Sequence, residues 1–411
     1  MKKVKVLFFF YNRLQDPLLQ SNIFLFINEI TQKQDNQYQF SIITFEDKNF
    51  PMSDSERAKI TEGFLRRNII WEPLQWHHGD NLLIKLVDLF LALFKILKLR
   101  TKGYKHLVTL GSVAGSFVYL ISRIIPVKYY LYQYEPHSEY LRDSHVWKTE
   151  SLQFKLLNLL EKRSVMKCAV VSSGTKYMQE RLIDWKVNKP FIKITSVAND
   201  SAFNFSEHAR NKIRKELLIQ PENKLIIYPG KIGGIYADEI QLVELIKAMA
   251  PLDVNYRFLI ITPSINELNN KLLRESDDLK KVINIIPPSP LEKMPEYLSA
   301  ADLGIVSVMP GYSQRFRSNI KVGEYLCTGL PYLVCKGISE DDLVAETQKV
   351  GVVIQDFKPE HIRSAKASFD TIFAVSKIEM VERCRTAGIN YRGFSDQNKQ
   401  FNTALTLLVS N

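Results

Sequence analysis

Thirteen short apolar runs, rich in β-branched and aromatic residues, recur along this 411-residue chain and alternate with longer stretches of helical spacing. Seven of them, at 4–10, 40–45, 69–74, 106–110, 127–132, 168–172 and 192–197, form a first series. Six more, at 225–228, 257–261, 282–286, 303–308, 332–335 and 350–354, form a second. A half-exposed strand alternates apolar with polar residues, whereas a strand covered by helices on both faces reads as an unbroken apolar run. The pattern therefore predicts an α/β chain with mostly parallel, buried sheets. Between the two series, residues 199–223 are polar and charge-rich and end in a Pro221-Glu222-Asn223 turn, which predicts a domain junction. The length suits two domains of about two hundred residues better than one core. We place the domains at 1–198 and 199–390, with a terminal helical segment, 391–411, carrying apolar Phe394, Phe401, Leu405 and Leu408.

Charge narrows the partners. Lys and Arg total 55 against 44 Asp and Glu, a net charge of +11 that favours an anionic ligand or surface. Nucleic acid is the weakest candidate, because no zinc-finger, basic-zipper or RNP-like signature is present. Cys168, Cys327, Cys335 and Cys384 are scattered with no Cys-x-x-Cys pair, which points to a reducing cytoplasm. The apolar run from Val4 to Tyr11 is too short for a secretory leader and reads as the first core strand. His77-His78 lacks a carboxylate cluster at metal spacing, so no metal or other cofactor is expected.

The densest chemistry lies in Ser318-Asn319-Ile320-Lys321-Val322-Gly323-Glu324-Tyr325-Leu326-Cys327-Thr328-Gly329-Leu330-Pro331. Ser318 or Asn319 can cap a helix whose free N–H groups and positive dipole end would receive an anion. Lys321 and Glu324, three apart, share one helical face. Upstream, Tyr228-Pro229-Gly230-Lys231-Ile232-Gly233-Gly234-Ile235-Tyr236 places glycines and a cation at a strand exit, where ligands of open α/β sheets lie.

These stretches resemble, respectively, the Lys-x-x-Glu-Tyr-Leu-x-x-Gly-x-Pro signature and the donor-domain glycine loop of bacterial family-4 type glycosyltransferases. Val197-Ala198-Asn199-Asp200-Ser201-Ala202-Phe203 is similar to the same family's linker entry. The resemblance implies the GT-B fold, two Rossmann-like domains facing across a cleft, and a last helix that crosses back to the N-terminal domain. It also implies transfer of a sugar from a nucleoside-diphosphate donor to a lipid-linked or growing cell-surface polysaccharide acceptor, with a retaining outcome.

The residue patterns and the resemblance together give a donor site of Gly230, Gly233, Gly234, Arg315, Arg317, Ser318, Asn319 and Glu324, with Lys231 and Lys321 as catalytic cations. As the sugar leaves, negative charge grows on the diphosphate, and fixed cations stabilise it. Lys231 stands where the family has Arg, while a second family cation is missing, Tyr236 and Ala237 standing there; Arg315 and Arg317 are candidates to replace it. An ionised Glu324 would accept hydrogen bonds from ribose hydroxyls; the bland alternative is a surface pair with Lys321. Phe316 occupies the position where the family often has a second Glu, a departure that bears on sugar identity and on the retaining outcome. On the acceptor side, Glu135 or His137, after the 127–132 run, can act as general base, a capping or surface role being the alternative for each. Tyr11-Asn12-Arg13 replaces the glycines usual in the first loop and puts Arg13 in reach of an acceptor phosphate. Two rival readings remain, a non-catalytic sugar-nucleotide-binding protein and a sugar-nucleotide epimerase.

Residues 82–105 are almost wholly apolar except for Lys85, Asp88, Lys95 and Lys98, which fall in a single stripe, followed by Arg100, Lys102 and Lys105. Those charges argue against a transmembrane span. Two readings stay open: an interfacial helix with its basic residues toward anionic headgroups at the inner face of the plasma membrane, or a core helix with a solvated edge.

Overall fold

The computed structural model describes residues 3–33, 37–79, 81–234 and 236–410. The chain divides into two compact units, one of residues 1–195 with 395–411 and one of residues 196–394. The first unit holds β1 (Val4–Phe10), β2 (Tyr38–Glu46), β3 (Ile69–Gln75), β4 (His106–Leu110), β5 (Lys128–Tyr132), β6 (Val170–Ser173) and β7 (Phe191–Lys193) in the order β3-β2-β1-β4-β5-β6-β7. The second holds β8 (Lys224–Pro229), β9 (Tyr256–Ile261), β10 (Ile283–Ile286), β11 (Leu303–Ile305), β12 (Tyr332–Cys335) and β13 (Gly351–Ile354) in the order β10-β9-β8-β11-β12-β13. Every pairing in both sheets is parallel.

Burial on both faces explains the apolar runs: Val6 to Phe10 of β1 and Leu225 to Tyr228 of β8 are fully buried. In each sheet the chain first winds one way from the central strand and then returns to its other side. This creates a switch point between β1 and β4 in the first unit and between β8 and β11 in the second, with the strand ends open to a ligand there.

Two runs end as strands sooner than their composition predicts. The 192–197 run stops at Lys193, after which the Thr195 amide donates to the side chain of Gln397 at 2.8 Å. The 303–308 run stops at Ile305, and Val308 instead makes an antiparallel bridge to Tyr236. The Phe394–Ser410 helix buries Phe401, Ala404, Leu405 and Leu408 in the first unit, with Phe401 stacked on Phe26 at 4.7 Å. Ala198 belongs to the second unit, where it bridges Gly393, so the structural junction falls at 195/196 rather than at 198/199.

The Leu82–Thr101 helix reverses the expected orientation of its charged stripe. Lys85 donates to the Tyr11 hydroxyl at 3.0 Å, Asp88 is fully buried and meets His77 Nδ1 at 2.6 Å, and Lys95 pairs with Glu72 at 2.8 Å. Tyr11 beyond β1, His77 beyond β3 and Glu72 within β3 take up these three charges, so this part of the stripe faces the protein while Lys98 stays exposed. Every exposed residue from 82 to 97 is apolar, with Phe90 and Phe94 55% and 67% exposed. Among the described residues no helix is long and apolar enough to cross a membrane.

Candidate functional site

Two arms of the second unit meet beyond the β8 and β11 strand ends. The first arm leaves β8 at Pro229. Gly230 continues the sheet pairing, its amide donating to the Ile261 carbonyl at 2.8 Å. Gly233 and Gly234 then take φ of +82° and +70°, a left-handed pair that residues with a β-carbon adopt only under strain. The resulting turn is closed by Gly233 N to Ala237 O at 2.9 Å and tied to the segment after β11 by Ala237 N to Ser307 O at 2.7 Å. The Tyr228 hydroxyl donates to the Lys231 carbonyl, which fixes the backbone at the cation while the Lys231 side chain stays exposed. Residue 235 of this stretch lies outside the described residues. A capping box between Asp238 and Gln241 starts the Glu239–Met249 helix.

The second arm runs through the one-turn Tyr312–Phe316 segment to the Ile320–Cys327 helix. Asn319 caps that helix, its side chain accepting from the Lys321 amide at 3.0 Å. Ser318 is therefore not the cap. Its hydroxyl accepts from the Ser196 amide at 2.8 Å and from the Arg392 guanidinium, and its carbonyl accepts from Ser196 Oγ at 2.5 Å. Arg392, fully buried, pairs with the equally buried Asp341 at 2.5 Å, and Tyr391 OH donates to Asp341 at 3.1 Å. Ser318 is thus committed to bracing the helix start from behind, which leaves the first-turn amides other than that of Lys321 as the groups that can meet an anion.

The arms touch through Lys321. A β-carbon built on Gly230 would lie 3.0 Å from Lys321 Cε and 3.1 Å from its Nζ. The ammonium also sits 4.7 Å from the centre of the Tyr236 ring, which offers its negative face in place of a carboxylate. Glu324, one turn along, is half-buried; burial pushes its carboxyl up to about 7, against the opposing pull of the Lys321 charge. Arg315 lies 5.4 Å from the Tyr312 ring, and Arg317 is half-buried three residues before Ile320. Phe316 is only 2% exposed, with its ring edge-on to Tyr312, so this position packs inward.

In the first unit, Glu135 and His137 follow the end of β5. Ser112, beside the β4 exit, donates to the Glu135 carbonyl at 2.6 Å, and His137 Nδ1 meets Glu135 Oε1 at 3.1 Å. A carboxylate on Nδ1 orients the ring and leaves Nε2 as the proton-accepting atom. Beneath the pair, Glu161 accepts from both the amide and the hydroxyl of Ser138, at 3.0 and 2.6 Å. Burial pushes Glu161 up to about 7 in spite of those hydrogen bonds.

Sequence reasoning passed over Glu161, which lies inside an ordinary-looking helical run, and two histidine–carboxylate pairs. His77 rests on Asp88 and His78 on Asp47, each at 2.6 Å, with both carboxylates buried. The adjacency of His77 and His78 was visible, but their partners stand on other elements. The Tyr11 phenol joins this network, accepting from Trp76 Nε1 at 3.1 Å and donating to Asp88. Burial and then the Asp88 contact push that phenol well above its usual range. Arg13 stacks on Phe50 at 4.1 Å.

The sequence matches no protein-family model and no curated protein. Solved structures do match. HepE of Anabaena in complex with UDP superposes with a TM-score of 0.70 at 12% identity, over 98% of this chain and 100% of that one. Sucrose-phosphate synthase of Thermosynechococcus elongatus gives 0.72 at 12%, over 99% and 100%. WaaG, a glycosyltransferase involved in lipopolysaccharide biosynthesis, gives 0.64 at 13%, over 99% and 100%. At these identities the likeness establishes the fold, which is the GT-B fold of glycosyltransferases.

Proposed function

We propose that this protein transfers a sugar from a nucleoside-diphosphate donor to a lipid-linked or growing cell-surface polysaccharide acceptor. The observation that carries the reading is the meeting of Lys321 with the Gly230 loop at the switch point of the six-stranded sheet. One cation, a capped helix start and a glycine turn there surround a space suited to a diphosphate. HepE, of the same fold, has been solved with UDP and with UDP-glucose, and WaaG serves lipopolysaccharide synthesis; both support a nucleotide-sugar donor and a glycan acceptor.

In this reading Lys231 and Lys321 neutralise the charge that grows on the departing diphosphate, with Arg315 and Arg317 placed to assist. Glu324, once ionised, accepts from the ribose hydroxyls. The Glu135–His137 pair takes the proton of the acceptor hydroxyl at His137 Nε2 as the new glycosidic bond forms. The nucleoside diphosphate departs with the bonding electrons. The resemblance to family-4 type enzymes favours retention at the anomeric carbon, although Phe316 removes a carboxylate that family often supplies.

The test is incubation of the full chain with UDP-, GDP- and ADP-sugars, with and without lipid-linked saccharide acceptors, followed by chromatography of nucleotide and sugar products. Acceptor-dependent nucleotide release that Lys231→Ala lowers at least about a hundredfold supports transfer. An isomerised donor would mean epimerisation. Tight binding without turnover would mean a binding protein, the reading that the buried Phe316 favours.

A further inference from the structure

The outer surface of the first unit's helix layer combines two properties that soluble surfaces keep apart. Between residues 82 and 97 every exposed position is apolar, while Lys85, Asp88 and Lys95 are turned inward to partners beyond β1 and β3 and within β3. This helix shares its core with the Ser112–Ser122 and Leu152–Lys167 helices, through Ala92 and Ile96, Phe117 and Val118, and Val165. The Leu152–Lys167 helix adds its own outward residues, Leu152 and Leu159, at 64% and 52% exposure.

Charge on the same layer has one sign. Residues 82–128 carry eight Lys or Arg and one acid, Asp88; residues 152–167 carry four and one acid, Glu161. Both acids are buried, at 0% and 2%. Lys98 and Lys102 are exposed at the end of the apolar helix, and Arg100 donates to the Pro126 carbonyl at 3.0 Å, which ties that helix end to the segment carrying exposed Arg123 and Ile124.

We infer that this face docks on the surface of an anionic lipid bilayer, with the Leu82–Thr101 helix lying in the plane of the interface. Phe90 and Phe94 enter the acyl boundary, and Lys98, Lys102 and Arg123 meet the headgroups. This orientation is the reverse of one in which the charged stripe itself faces lipid. Because Asp88 and Lys95 already have partners within the protein, seating the apolar face strands no charge in hydrocarbon. A second copy of the chain is a poor occupant, since it would bring two positive faces together, whereas anionic headgroups complement them.

The experiment uses the full chain and co-sedimentation with vesicles of phosphatidylcholine alone or of phosphatidylcholine with phosphatidylglycerol. Binding is expected at least about tenfold tighter on the anionic vesicles, since each basic residue near such a surface adds roughly fivefold. Phe90→Ser/Phe94→Ser should lower anionic binding at least about tenfold, and Lys98→Gln/Lys102→Gln/Arg123→Gln should bring it to the level on neutral vesicles. UDP affinity in vesicle-free solution should stay unchanged in both, so failure of the surface and failure of the nucleotide site are read separately. No binding of the parent chain to either vesicle overturns the inference. So does unaltered vesicle binding by the phenylalanine variant, or a dimer in sedimentation velocity that this variant dissociates while vesicles capture nothing.

Discussion

The ammonium of Lys321 lies 3.1 Å from the point a β-carbon on Gly230 would occupy, so a methyl group there fits between the two arms of the candidate donor site only if the Lys321 side chain gives by a few tenths of an ångström. Gly230→Ala must push Lys321 aside, and the affected atoms are the far end of a flexible side chain, so the fold should survive. A charge-assisted phosphate contact is worth about 1.5–3 kcal/mol, which corresponds to roughly a 10- to 100-fold loss of UDP affinity. Isothermal titration of the variant beside Lys321→Met checks this. Lys321→Met should show that loss and Gly230→Ala a smaller one, and an unaltered affinity in Lys321→Met would detach Lys321 from the phosphate.

Glu324 gives the site a pH signature. Its carboxyl stands at about 7 without ligand, and hydroxyl donors from a ribose favour the ionised form. Binding therefore expels a proton, and affinity rises with pH through 7, by up to about tenfold per unit, before levelling. Titrations between about pH 6 and 8 should show that slope in the parent chain, and Glu324→Gln should retain only the part due to ionisation of UDP itself. Identical slopes in the two proteins would remove the ribose role.

Much of the scaffold was legible because parallel buried strands leave unbroken apolar runs: 4–10, 106–110 and 332–335 coincide with strands in the structure. The convergence of Gly230 with Lys321 could be expected from their positions at a strand exit and a helix start. What stayed hidden depends on partners far along the chain. Ser318 looked like a cap because its neighbours Asn319 and Lys321 are local, yet its hydroxyl is claimed by Ser196 and Arg392, 122 and 74 positions away. The Leu82–Thr101 helix was ambiguous for a different reason. It is apolar on both faces, so periodicity alone does not say which side the few charges occupy; that is settled by Tyr11 and His77 just beyond strands and by Glu72 within β3.

Glu161 offers a test of stability. Its folded-state value is raised from the ordinary 4.5 to about 7, so as pH climbs through that window the unfolded chain releases its proton first. The native state loses up to about 3 kcal/mol between these limits, and the loss is complete above about pH 8. Glu161→Gln has no proton to lose. Relative to the parent, its Tm should improve steadily from about pH 5 to pH 8, whatever constant offset the altered contact with Ser138 introduces. Differential scanning calorimetry at several pH values measures the difference, and a flat difference would show that Glu161 is ionised at its usual value.

The Arg392–Asp341 pair behind the helix start couples stability to the site. Both side chains are fully buried, and Arg392 also donates to Ser318, which precedes the Asn319 cap. Asp341→Asn keeps the shape and removes the compensating charge, leaving the guanidinium unpaired in the core. Breaking a buried pair from one side costs about 3–5 kcal/mol, whereas replacing both partners by apolar groups of similar volume is often neutral. Asp341→Asn should therefore lower the urea midpoint sharply, while Asp341→Leu/Arg392→Met should recover most of it. UDP affinity should not recover with it, because the double variant still lacks the Arg392 contact that holds Ser318 and sets where the helix begins. If the double variant regains both stability and affinity, the brace behind Ser318 is dispensable, and the Asn319 cap alone positions the amides that meet the diphosphate.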